Sequence, residues 1–423
     1  MTAMRAQPVP RITAFATAVL VFGAVNAPTV LYAGWRADLG FSATVQTLIY
    51  AMYVGGLIPG LLLTGRWLQR RGPRTLMVLA AAASVVAALA LALADGVGTL
   101  LGARFIQGLA LGVVMTASSA ALYGAVPPRA RSFTALLVTL TALIGACLGP
   151  VLAGFLADLS GGTTMPMLVA AATVAAVMIL LLVHGRSPAP QATPAPNGPS
   201  TGPLILGETV ASGGIPDASP VPPPALEPAP APALVPRSHM MISLTAGTSW
   251  SMVGLYQSVG PGLIGSALGV DGLTVLGGIV AAMLAVAGMV QVSARNVAVQ
   301  RGRRLGLSSL LVGICGFAAM LLTGQVWWAL IAVAGAGVGH GFTFLSATQE
   351  IGESHRRHPL KAAASMSRYF TIAYLCLAAF TLLLGIVGDL WAMVPAAVTL
   401  LGVLAAGCVA MLFSRNATAF PRS

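Results

Sequence analysis

Twelve long stretches of this chain hold almost no ionisable side chain, and any fold it adopts has to accommodate them. They lie near residues 12–33, 43–65, 74–94, 99–124, 131–157 and 164–184, and again near 242–266, 273–294, 304–323, 326–349, 362–387 and 391–413. A soluble domain carries about a quarter charged residues; here 8% of 423 residues are charged and 57% are hydrophobic. Each stretch supplies the roughly 20 apolar residues that a helix needs to cross about 30 Å of hydrocarbon. Without water in that layer a spanning segment must pair its own backbone N–H and C=O groups, which a helix does within one segment. The expectation is an all-α membrane protein with twelve transmembrane helices in two six-helix bundles, residues 1–184 and 241–423. The first stretch is too long for a secretory signal and lacks a small-residue cleavage pattern, so it reads as a retained span.

The formal net charge of +12 would point to an anionic macromolecule if the protein were soluble. Its distribution gives another reason. Of 22 basic residues, 20 fall at the termini and in alternate connections, while the opposite connections hold Asp38, Asp95, Asp158, Asp271 and Asp389 with Arg36 as their one basic residue. Cytoplasmic loops concentrate Lys and Arg, so the pattern predicts both termini in the cytoplasm and removes the case for nucleic acid. With 21 Arg against one Lys, the composition fits a GC-rich bacterial host and hence a multi-pass protein of its inner (plasma) membrane. The four cysteines, Cys147, Cys315, Cys376 and Cys408, sit inside apolar runs with neither metal-ligand nor disulfide spacing and read as small core residues. Neither a metal nor a cofactor is expected, and no nucleophile or phosphate loop suggests an enzyme.

Residues 185–240 hold 15 of the 28 prolines, in runs such as Pro222-Pro223-Pro224. Such sequence cannot bury a core, so it is expected to be a disordered, partly extended cytoplasmic linker between the bundles. Docking of a proline-recognising partner is the alternative use. The two halves also echo each other: Gly108, Gly112, Thr116 and Ser119 recur as Gly335, Gly339, Thr343 and Ser346 at an offset of 227, which makes Ile331 the counterpart of Arg104. Repeat-built carriers bind substrate near the midplane between their halves.

Three motifs carry chemistry. Gly65-Arg66-Trp67-Leu68-Gln69-Arg70-Arg71-Gly72-Pro73-Arg74 joins the second and third spans, with a reduced copy, Gly302-Arg303-Arg304, 230 residues after Gly72. The fourth span opens with Arg104-Phe105-Ile106-Gln107-Gly108. A guanidinium at that depth costs at least about 2.5 kcal/mol on insertion scales and needs internal partners. It reads either as a coupling or substrate-binding group, or as an arginine that satisfies helix carbonyls and Gln107. The fifth span holds Gly145, Gly149, Pro150 and Gly154, small residues that let helices approach closely and a proline that bends the span.

In this order the three motifs resemble those of the major facilitator superfamily, and the resemblance covers the chain outside the linker. The first is similar to the family's signature loop, except that Gln69 stands where an acid is usual. The third is similar to the antiporter motif of its exporter branches, with Ala153 where a second glycine is frequent. The resemblance implies the twelve-helix fold of that family, alternating access, and a gating role for Gly65, Gln69, Arg70, Gly72 and Arg74. It further implies drug or metabolite efflux by antiport with protons, as in multidrug resistance, and a monomer in the bilayer. Cavity walls in the family come largely from spans 1, 4, 7 and 10, which here offer Asn26, Trp250, Tyr256, Gln257 and Phe344 besides Arg104, Gln107 and His340. No Asp or Glu lies in the middle of a span, so coupling would run through Arg104 with Asp38 or another span-end acid, or through His340, whose ordinary pKa suits proton exchange. Two alternatives stand beside efflux: an uptake carrier for an anionic solute that completes Arg104, and a transport-dead sensor or scaffold.

Overall fold

The computed structural model describes residues 9–123, 131–183, 237–354 and 359–413. The first half contains α1 (Arg11–Asn26), α2 (Tyr32–Leu39), α3 (Ala43–Ala92), α4 (Val97–Tyr123), α5 (Arg131–Ser160) and α6 (Thr164–Val183). The second contains α7 (Arg237–Ser258), α8 (Gly260–Leu268), α9 (Leu273–Ser293), α10 (Val299–Thr323), α11 (Val326–Ser354), α12 (Pro359–Trp391) and α13 (Met393–Phe413). A single 3-10 turn, Ala27–Val30, joins α1 to α2. Eleven segments are long and apolar enough to cross a membrane, α3 supplying two of them, Ala43–Gly65 and Trp67–Ala92. The twelfth expected span, near 242–266, is shared by α7 and α8. Thr245, Ser249, Ser251, Gln257 and Ser258 dilute its hydropathy, and the helix breaks at Val259 just before Pro261. α7 begins at Arg237, inside the predicted linker; residues 184–236 lie outside the described residues.

The connection between the second and third spans differs from the expected loop. The helix runs on through Arg70 and Arg71, and the whole change of direction is made at Gly72, with φ 72° and ψ 163°. That region is closed to residues with a side chain, and Pro73 then restarts a helix whose first turn needs no donor from it.

Within the first half α3 packs on α4 and α6, and α1 on α4, α5 and α6. In the second, α9 and α10 pack on α11, α10 on α13, and α7 on α12. Between halves the extended contacts are α5 with α9 and α3 with α12. The two halves correspond at an offset near 229, two residues from the expected 227. A Cβ on Gly108 would strike the Tyr53 carbonyl and one on Gly112 would lie 2.6 Å from that of Leu57. The matching collisions in the second half fall on Gly337, 2.7 Å from the Met283 carbonyl, and on Gly341, 2.6 Å from that of Ala287. Glycines at 335, 337, 339 and 341 alternate, so one-dimensional matching has two registers to choose from, and helix contact selects the second. The counterpart of Arg104 is therefore Val333 rather than Ile331.

Candidate substrate site between the halves

The centre of the molecule is organised by a missing hydrogen-bond donor. Pro28 has no N–H to give the Ala24 carbonyl four residues earlier, and the change to a 3-10 turn at Ala27–Val30 draws the next N–H groups three residues back, so α1 ends with the Ala24 and Val25 carbonyls open to other partners. α4 supplies them: Gln107 Nε2 donates to Ala24 O at 3.1 Å, and Arg104 Nη1 donates at 2.7 Å both to Val25 O and to Gln107 Oε1. Arg104 is only 2% exposed, and its guanidinium lies 5.1 Å from the ring centre of Tyr53 and 5.8 Å from that of Tyr32. Two aromatic faces at that distance are worth roughly 0.5–2 kcal/mol to a cation. The carbonyl-capping role foreseen for Arg104 is thus present, and its counter-charge is spread over dipoles and rings instead of a carboxylate.

The break in α7 repeats the device with a partner from the other half. Gln46 Nε2 of α3 donates to Ser258 O at 3.0 Å, beside the break that precedes Pro261. Nearby, Gln257 Nε2 donates to Asn26 Oδ1 at 2.9 Å, and Tyr50 Oη donates to Gln257 Oε1 at 3.1 Å. Tyr53 Oη lies 3.4 Å from Tyr50 Oη. These bonds stitch the halves together through neutral groups.

On the second-half side the site is aromatic. Trp250 of α7 packs on His340 (5.2 Å between ring centres) and Phe344 (6.3 Å) of α11 and on Tyr374 (4.8 Å) of α12. Phe370 joins Phe344 to Tyr369 and Tyr374. His340 is buried, its Nδ1 3.3 Å from Ser249 Oγ.

Of the residues expected here, Asn26, Arg104, Gln107 and Gln257 come together at the interface, and Trp250, His340 and Phe344 cluster among α7, α11 and α12 of the second half. Two do not. Tyr256 packs edge-on against Phe317 of α10, because the face of α7 opposite Trp250 serves the second bundle's own core. Asp38 is exposed at the end of α2 and does not pair with Arg104. Sequence reasoning missed Tyr32, Tyr50, Tyr53, Gln46, Tyr369, Phe370 and Tyr374. Six of seven tyrosines are buried, five of them here, with Tyr256 in the second bundle's own core and Tyr123 exposed. Their signal was a hydroxyl-bearing aromatic in mid-run where interfacial anchors are not expected.

The expected gating residues Gly65, Gln69 and Arg70 lie exposed along α3. Arg74 donates from Nε to Leu181 O and from Nη2 to Leu182 O, each at 3.0 Å, a cation on the last carbonyls of α6. In the reduced second copy Arg303 faces Glu350 at 4.0 Å. The α5 glycines divide their work. Gly145 and Gly149 meet α1 at Gly23, whereas Gly154 meets the Leu273 carbonyl of α9, and Pro150 presents its own carbonyl to Gly277 of α9.

Two contacts of the same design close the interface on the face that carries the span-end aspartates. Asp158, at the end of α5, accepts from Leu273 N and Thr274 N, each at 2.8 Å, and from Thr274 Oγ1 at 2.6 Å. Asp389, at the end of α12, accepts from Ala43 N and Thr44 N, each at 2.8 Å. Each carboxylate caps the first turn of a helix in the opposite half, where unpaired N–H groups and the helix dipole favour negative charge. Four residues before each lies the glycine that lets the backbones meet: Gly154 against Leu273, and Gly385 against Ala43, Thr44 and Thr47. The repeated unit is Gly-x-x-x-Asp, at an offset of 231.

A family model described as the Major Facilitator Superfamily matches residues 13–368. Among solved structures, a bacterial homologue of the human lysosomal transporter Spinster, inward-facing and unoccupied, aligns with a TM-score of 0.69 at 14% identity. That alignment covers 95% of this chain and 94% of the other. The same homologue in an occupied inward-facing form gives 0.69 at 13%, over 95% and 93%. A variant of the nucleoside transporter NupG gives 0.66 at 12%, over 96% and 100%. A curated relative, "Probable multidrug resistance protein EmrY" of Escherichia coli (strain K12), is 30% identical over 124 residues, 29% of this chain. The aligned part is 24% of that relative's length.

Proposed function

The chain belongs to the major facilitator superfamily, and from that membership we propose that it exports a small organic compound in exchange for protons, by alternating access. As a multi-pass membrane transporter it is not an enzyme. The observation that supports the proposal is the buried polar cluster of Arg104, Gln107, Asn26 and Gln257, bonded across two pseudo-equivalent halves that Asp158 and Asp389 join on one face. If those two seals open together, the centre becomes reachable from the aspartate face; with them shut, exchange runs through the arginine-rich face. The positive-inside rule puts the arginine-rich face in the cytoplasm. The protein would then be a monomer of the plasma membrane, with both termini inside and residues 185–240 as a tether.

Export as the direction is supported by the α5 glycine-proline pattern and by the short stretch of similarity to a protein named for multidrug resistance. For proton coupling the candidate among the described residues near the centre is His340, a side chain whose ordinary pKa lies near neutrality, since Asp38 stands apart. The test is solute accumulation in inverted vesicles under an imposed proton gradient, over a panel of dyes and antibiotics, with and without a protonophore. Accumulation above protein-free vesicles that the protonophore abolishes is expected, and His340→Gln should leave only downhill exchange. Gradient-independent accumulation would end the coupling claim. Import into intact cells would reverse the direction.

A further inference from the structure

The hydrogen-bonding capacity left over at the centre is one-sided. Around Arg104 the amide oxygens are taken: Gln107 Oε1 by Arg104, Gln257 Oε1 by Tyr50, Asn26 Oδ1 by Gln257. Beside them the buried polar atoms without a partner are Arg104 Nε and Tyr32 Oη. An arginine nitrogen only donates, and a tyrosine hydroxyl has a proton to give. Native interiors rarely leave such groups unpaired without a use.

The charge balance points the same way. Among the described residues there are seven carboxylates, and each is occupied or distant. Asp158 and Asp389 cap helices of the opposite half, Glu350 faces Arg303, Asp95 accepts from Thr99, and Asp38, Asp271 and Glu353 are exposed. None pairs with Arg104, whose Nη1 bonds both end on neutral oxygens. A buried cation that keeps an open donor is chemically suited to an anionic partner. On the second-half side the wall is Trp250, Phe344, Phe370 and Tyr374, and Tyr374 lies on α12, the helix that packs on α3, which carries Tyr53. Flat aromatic walls favour a flat apolar body.

We infer that the transported compound is an organic monoanion with an aromatic body, its negative group held by Arg104 and Tyr32 and its ring system by the Trp250 cluster. This rests on the transporter reading above and names its substrate class. It is independent of transport direction. A single guanidinium matches a single negative charge, and its own positive charge repels an ammonium group placed at the same point.

The experiment is a charge series on one skeleton: 2-naphthoate, 2-naphthamide and 2-naphthylmethylammonium, titrated calorimetrically into the purified full-length protein. The carboxylate should bind at least tenfold more tightly than the amide, and the ammonium should not bind. Arg104→Gln should erase the preference for carboxylate over amide, while Trp250→Leu should weaken both alike. If Arg104→Gln does not fold, the wild-type series still decides, with Arg104→Lys as the milder variant. Equal or tighter binding of the amide or the ammonium, or no binding by any member, overturns the inference. Flux of the same probes into proteoliposomes separates the two readings. Naphthoate that binds but is not carried sinks the transport reading alone; carriage of the ammonium in place of the naphthoate sinks the anion inference alone.

Discussion

Removing the charge from both inter-half caps, Asp158→Asn with Asp389→Asn, should open the aspartate face. Each carboxylate accepts two backbone N–H bonds at 2.8 Å, and Asp158 a hydroxyl as well. Hydrogen bonds to a charged acceptor are worth about 1.5–3 kcal/mol when buried. Both aspartates are exposed, so the helix-terminus range of roughly 0.3–1 kcal/mol is the better guide. Asparagine keeps one acceptor but turns an amide N–H₂ toward the second backbone donor, so the loss per site falls near the top of that range, about 1 kcal/mol. The two sites share no partner, so their effects should add to within about 0.5 kcal/mol. The double variant then loses about 2 kcal/mol, a shift of roughly 30-fold in the ratio of closed to open forms. Spin labels at Ser160 and Ser266, exposed and on opposite halves, read this directly in a background without native cysteines. The short inter-label distance should give way to a longer population in the double variant, with smaller changes in each single one. A distribution unchanged from the parent would refute the claim that these caps hold the face shut.

Three further outcomes follow from the packing and capping described. Gly277→Val should push α9 off the Pro150 carbonyl, lengthening the same inter-label distance and stopping transport while circular dichroism reports unchanged helix content. Pro28→Ala restores an N–H able to pair with Ala24 O in place of Gln107. Gln107→Leu should therefore cost about 1–2 kcal/mol of stability alone and clearly less in the Pro28→Ala background, a coupling that a double-mutant cycle on thermal melts detects. Arg74→Ala uncaps the Leu181 and Leu182 carbonyls and should lower the melting temperature while leaving inter-label distances as they were. A changed distance would instead give Arg74 the gating part that its motif suggests.

How much of this could be read beforehand varies with the range of the interaction. Span positions were legible because a run of some 20 apolar residues is a local signal; the expected 43–65 and 164–184 emerge as Ala43–Gly65 and Thr164–Val183. The partners of Arg104 were legible in kind, since a buried guanidinium must find carbonyls. Their identity was not, because Val25 lies 79 residues away. The inter-half caps were visible as Gly-x-x-x-Asp at 154–158 and 385–389. They passed as loop acids marking topology, since a helix N-terminus in the other half is not a sequence neighbour. The tyrosines were overlooked for the converse reason: each alone is indistinguishable from a packing aromatic, and only the ring contacts make a wall of them.

The same comparison separates what moves from what binds. The frame of the molecule is duplicated: Gly108 with Gly337, Gly112 with Gly341, Gly154 with Gly385 and Asp158 with Asp389. In each seal one half gives the carboxylate and the other the helix end, so a rotation of one bundle against the other strains both at once, and neither can open far alone. The centre is not duplicated. Counterparts at the same offsets are Val333 for Arg104, Ala336 for Gln107, Leu111 for His340 and Val19 for Trp250, all of them apolar. Duplication therefore left the rocking frame symmetric, while one half kept a cation with open donors and the other an aromatic wall. On the proposed reading, a compound bridging them would touch both bundles with different chemistry at its two ends. Its binding energy would then depend on their relative rotation, and occupancy of the centre would be coupled to the state of the seals.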